Sequence, residues 1–172
     1  PVLDACEQIK AAGKWLDSEI KVMWRKQRPD GVIEGWYGDG NFARTTIMYC
    51  LWKTQGLTVR PWRDDMAFGA VREGEGLKIY LRVRKPWRGK ILFDIPRHRL
   101  YLKLPLDWPR INQFCQWFTV ELDRNYRLAC YPDSLEKTDY TGNELRQGLF
   151  LELSPDREYY LTVQALGISP EL

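Results

Sequence analysis

Trp36, Tyr37, Asp39, Asn41 and Arg44 fall within nine positions of the stretch GWYGDGNFART. Together they offer flat stacking faces, a carboxylate, an amide and a guanidinium, the repertoire that holds a polar ring-shaped ligand such as a sugar. Glu34 stands just upstream and adds a second carboxylate. Glycoside hydrolysis needs two carboxylates about 5 to 10 Å apart, and Glu34 and Asp39 on one loop can meet that separation. Asp39 also precedes Gly40 and Asn41 at an expected helix start, where an aspartate caps the helix or forms the turn, so catalysis and capping are both open to it. Asn41 and Arg44 share a face of the first helical turn, placed to grip a ligand hydroxyl or carboxylate, or to tie down the loop.

His98 is the sole histidine and lies between Arg97 and Arg99. Neighbouring positive charge favours its neutral, basic form, as a general base requires. No serine or cysteine stands in a nucleophile elbow to be activated by it, so a structural histidine is the competing reading. A lyase would use Tyr37 or His98 as base and Arg44 to neutralise a uronate.

Other chemistries are poorly supplied. Phosphate-loop, dinucleotide, HExxH and EF-hand patterns do not occur, and no cofactor is expected. The four cysteines, Cys6, Cys50, Cys115 and Cys130, are widely spaced without a CxxC or a histidine pair, which argues against zinc; apolar neighbours suggest buried thiols. The 26 basic and 23 acidic residues are spread along the chain, so nucleic acid is not an expected partner. Arg82, Arg84, Lys85, Arg88 and Lys90 form the densest basic stretch, read first as a solvated sheet edge and second as a site for an anionic glycan. No apolar run of membrane-spanning length exists, so no membrane is expected. The chain starts at Pro1 without a signal-peptide pattern, as a piece of something longer would.

The elements that must position these residues divide in two. From Val2 to Arg28, apolar residues recur every three or four positions, an amphipathic helix weakened at Gly13 and ended before Pro29-Asp30-Gly31. A second helix, capped by Asp39 or Asn41, runs to Thr54, and the two form a hairpin over residues 1–56. Beyond Gly56 come short β-branched or aromatic runs at 66–71, 77–83, 91–95, 100–104, 117–122, 126–131, 149–153 and 159–166. REGEGLK reads as a hairpin turn, and the polar stretch 132–148 as a flap or functional loop. Eight such strands predict a mainly β chain, with an antiparallel β-sandwich over residues 57–172. Eight tryptophans and nine tyrosines suit such a sandwich or a carbohydrate-facing surface.

GWYGDGNFARTTIMYCLWKTQG, PWRGKILFDIPRHR and LPLDWPRINQFCQWFTVE resemble the end of polysaccharide-active enzymes in which an (α/α) toroid of helical hairpins meets a C-terminal β-domain. The resemblance to these glycoside hydrolase-like or lyase-like proteins implies the C-terminal portion of a carbohydrate-active enzyme. Its sugar site would be completed by the rest of a longer chain or by a homo-oligomer, with a polysaccharide or oligosaccharide as partner. The alternative is a free-standing β-sandwich module that binds a glycan or a protein without catalysis.

Overall fold

The computed structural model describes residues 10–34, 40–103 and 117–167, the side chain of His98 excepted. These form two compact units, one ending at Trp52 and the other beginning at Lys53.

The first unit holds helix α1 (Lys10–Trp24) and most of helix α2 (Asn41–Thr54). Leu16 and Ile20, one turn apart on α1, are buried, as are Thr46, Met48 and Tyr49 on α2. The Tyr49 hydroxyl donates to Asp17 at 2.6 Å, and its ring meets Trp24 edge-on, centroids 5.9 Å apart. After α1 the chain reverses at Pro29-Asp30-Gly31, as the turn residues predict: Gly31 adopts φ +86°, and the Arg28 amide donates to Val32 at 2.8 Å.

In the second unit, β1 (Thr58–Arg60), β4 (Trp87–Leu92) and β7 (Leu149–Leu153) form a three-stranded antiparallel sheet in the order β1-β4-β7. The other sheet runs β2-β3-β8-β5-β6, with β2 (Met66–Glu73), β3 (Gly76–Val83), β8 (Glu158–Ala165), β5 (Asn125–Tyr131) and β6 (Asp139–Thr141). All pairings in both sheets are antiparallel. Alternate residues of each sheet point inward to one hydrophobic cluster, Ile91, Leu149 and Leu151 from the first, Leu81, Leu128, Leu161 and Val163 from the second. That shared core is compatible with a β-sandwich. The REGEGLK turn forms as expected, closing β2 on β3 with Glu73 opposite Gly76 and Gly74 at φ +59°.

The strand expected at 91–95 is β4, shifted to Trp87–Leu92, and β1 has no counterpart among the expected strands; three further stretches differ in kind. Residues 100–104 read as strand, yet Arg97–Leu102 is helix α3. Pro96 stands immediately before it, where a missing amide hydrogen costs nothing. Trp117–Leu122 alternates buried and half-buried like a strand but joins neither sheet. Its amides bond elsewhere: Phe118 N–H to the Gln55 side chain at 3.2 Å, Val120 N–H to the Asp94 carbonyl at 2.9 Å, Glu121 N–H to the Tyr126 hydroxyl at 2.8 Å. Period-two burial therefore arose without a ladder. The stretch 132–148 is no featureless loop, for it contains β6 and helix α4 (Gly142–Gln147). The sequence TGNE carried that helix start: Thr141 accepts from the Glu144 amide at 3.2 Å while the Glu144 carboxylate accepts from the Thr141 amide at 2.8 Å, a capping box.

Candidate functional site

Of the residues first nominated by type and spacing, Trp36, Tyr37 and Asp39 lie outside the described residues. Glu34 is half-buried and its carboxylate receives Arg28 at 3.1 Å, a guanidinium it shares with Asp30 at 2.8 Å. Asn41 and Arg44 are brought together, the guanidinium donating to the amide oxygen at 3.1 Å. His98 falls inside α3.

The tryptophans beside turns divide. Trp87 is buried and its indole N–H donates to the Pro61 carbonyl at 2.8 Å. Trp117 donates to Asp94 at 3.0 Å and packs so closely on Gly56 that no side chain would fit there. Trp62 is exposed, whereas Trp108 lies outside the described residues. Cys50, expected buried, is exposed, and Cys130 is half-buried.

The strongest polar and aromatic constellation of the second unit lies on the outward face of the five-stranded sheet. There Tyr80 of β3, Tyr160 of β8 and Tyr131 of β5 occupy one cross-strand row, Tyr80 opposite Tyr160 and Tyr160 opposite Tyr131. Strand alternation makes the row: Ile79 and Leu81 face the core on either side of Tyr80, as Tyr159 and Leu161 do around Tyr160. Tyr160 is 47% and Tyr131 69% exposed, so two of the three rings face water. The Tyr80 and Tyr160 rings lie 5.5 Å apart and tilted by 57°. Both phenols donate to one carboxylate, Glu158, at 3.1 Å and 2.7 Å.

That sharing sets the electrostatics. The hydrogen bond from Tyr160, then that from Tyr80, hold Glu158 below the usual glutamate range. The same bond raises Tyr160, while burial first and Glu158 second raise Tyr80. At neutral pH Glu158 is a carboxylate held between two neutral phenols with Arg82 opposite it across the strands, and a carboxylate with about four lone-pair sites keeps capacity beyond the two it uses for the phenols. Two residues along the strands, Thr162 sits between Ala129 of β5 and Lys78 of β3.

Sequence reading did not single out these tyrosines. LKIYLRV already placed Tyr80 opposite in facing to its apolar neighbours, but which tyrosines share a row depends on a pairing between strands some 80 residues apart. Conversely, the apparent basic cluster is dispersed by the fold: Arg82 projects from β3 and Arg88 and Lys90 from β4, strands of different sheets. Arg84 and Lys85 lie in the connection between them, whose backbone is held by Asp65: the Lys85 amide donates to its carboxylate at 3.0 Å.

Among the described residues no three His, Cys, Asp or Glu side chains gather as a metal ion would require, and no helix is long and apolar enough to cross a membrane. Comparison with protein-family models, with curated proteins and with solved structures found no match for this chain.

Proposed function

We propose that this chain binds a polysaccharide or oligosaccharide through the outward face of its five-stranded sheet, as a carbohydrate-binding β-sandwich module without catalysis of its own. The carrying observation is the row Tyr80, Tyr160, Tyr131 with Glu158 fixed beside it. Phenol rings take the C–H faces of sugar rings, and an ionised carboxylate accepts sugar hydroxyls. Tilted rings suit a twisted single chain better than a flat crystalline surface. The test is isothermal titration with neutral β-linked oligosaccharides of increasing length, on the native protein and on Tyr160→Ala. Binding by the native chain that strengthens with length and is lost in the variant supports the reading; a native chain that binds none of them overturns it.

A second reading is favoured by a separate observation. Trp15 and Val22 on α1 and Ile47 on α2 are all more than half exposed, large apolar side chains without cover. In that reading the two helices are the last hairpin of a helical toroid, and the chain is the C-terminal portion of a glycoside hydrolase or polysaccharide lyase. The loop from Glu34 to Arg44 would then contribute to a sugar site completed elsewhere. Light scattering of the isolated chain tests it: self-association relieved by Trp15→Glu with Ile47→Glu supports a face built for missing neighbours, and a monomeric native chain opposes it.

A further inference from the structure

Four cross-strand pairs within the described strands join two charged residues. Three are complementary: Arg82 opposite Glu158, Arg88 opposite Glu152 and Arg127 opposite Asp139. The fourth, Arg60 of β1 opposite Lys90 of β4, sets two positive charges side by side on the outward face of the three-stranded sheet. Like charges directly opposite destabilise a sheet, so this pair is an expense the other three avoid. Both side chains are exposed, and among the described residues neither has an acidic partner.

Their surroundings orient them. The stem of Lys90 packs over Gly148, where the absence of a side chain gives it room. Lys90 is also opposite Phe150 of β7, whose ring carries the Arg88 guanidinium 5.2 Å from its centroid. Arg88 in turn is paired with Glu152 at 2.9 Å. Arg60, Lys90 and Arg88 thus form a basic strip across β1 and β4, with Glu152 on Arg88 and a recess on the far side of Lys90 that Asp133, Glu136 and Glu144 also line.

We propose that this strip is a second binding surface, for a linear polysaccharide bearing carboxylate or sulfate groups, with an anionic group of the polymer seated between Arg60 and Lys90. The charge of the strip selects an anion. Single-stranded nucleic acid, which would add stacking of bases on exposed rings, is the competing polyanion that the experiment separates. The surface lies on the sheet opposite to the tyrosine row in strand order and needs no neutral-sugar site, so each proposal stands or falls alone.

The experiment measures affinity of the full chain for heparin and polygalacturonate across a salt series, with neutral dextran and oligo(dT) as comparisons, and thermal melting of each variant. The native protein is expected to bind the two polyanionic glycans, with log affinity falling as log salt rises by a slope of about two, as a contact neutralising two to three charges gives. Arg60→Glu should weaken this binding at least tenfold and raise the melting temperature, because it replaces a repulsive pair by a complementary one. Lys90→Gln should weaken binding without lowering the melting temperature. Unchanged affinity in both variants, a lowered melting temperature in Arg60→Glu, or equal binding of dextran overturns the proposal. Oligo(dT) bound as tightly as heparin overturns the assignment to a glycan.

Discussion

Tyr80 and Tyr160 face each other across β3 and β8 with ring centroids 5.5 Å apart, and a single carboxylate, Glu158, accepts from both hydroxyls. A pair tied in this way keeps its rings in one arrangement before any ligand arrives, which lowers the entropy a ligand must overcome. Glu158→Gln weakens both phenol bonds and removes the anionic acceptor. It should reduce affinity for neutral oligosaccharides about tenfold while Tyr131→Ala, which leaves the tie intact, should cost about 1–2 kcal/mol of binding through lost stacking alone. Both losses are of similar size, and titration calorimetry on the two variants tests each of them.

The capping box of α4 predicts an acid response. The hydrogen bond from Lys137, followed by that from the Thr141 amide, pulls the Glu144 carboxyl from 4.5 down to about 2. Its folded-state pKa is depressed, so the stability it contributes is present above the ordinary glutamate range and is lost as pH falls from about 4.5 toward 2. Glu144→Gln should flatten the loss of melting temperature across that window and leave the profile near neutrality parallel to the native one. Thermal melts at closely spaced pH values read this directly.

In the helical unit the response lies at the opposite end. Burial, with the hydrogen bond to Asp17 behind it, raises the Tyr49 phenol well above its ordinary value of 10. The protonated phenol is favoured by folding, so its contribution is complete below the ordinary tyrosine range and declines as pH rises through it. Tyr49→Phe should lose the bond, at a cost of about 1 kcal/mol near neutrality, and lose the alkaline slope with it. Alkaline denaturation followed by helical circular dichroism is the measurement.

Gly142 begins α4 under the backbone of Glu121, where a Cβ would collide with the Glu121 carbonyl group. Its own amide donates to the Arg124 carbonyl at 2.8 Å. Gly142→Ala must push the 121–124 turn away from the helix, and overpacking of this kind costs about 1–3 kcal/mol. By contrast Gly74→Ala, in open space but at φ +59°, should cost about 1 kcal/mol from backbone strain alone. Urea denaturation of the two variants compares collision with strain.

Local patterns in the chain were enough to place α1, the turn at Gly31, α2 and most strands of both sheets, because each rests on neighbours within one or two turns. Leu16 and Ile20 on α1, or Leu77, Ile79 and Leu81 on β3, announce a buried face by spacing alone. The start of α4 is written in TGNE, yet the polar stretch 132–148 read as a flap or functional loop. Tertiary structure alone decided the rest. Whether Trp117–Leu122 would ladder depended on Gln55, Asp94 and Tyr126 capturing its amides, partners up to 63 residues away. Strand order put Tyr131 beside Tyr160 and divided one apparent basic cluster between two sheets. Hydrophobic periodicity says which way a side chain faces, whereas its neighbour on that face is set by long-range pairing, and so the candidate surfaces became visible only once the sheets had been assembled.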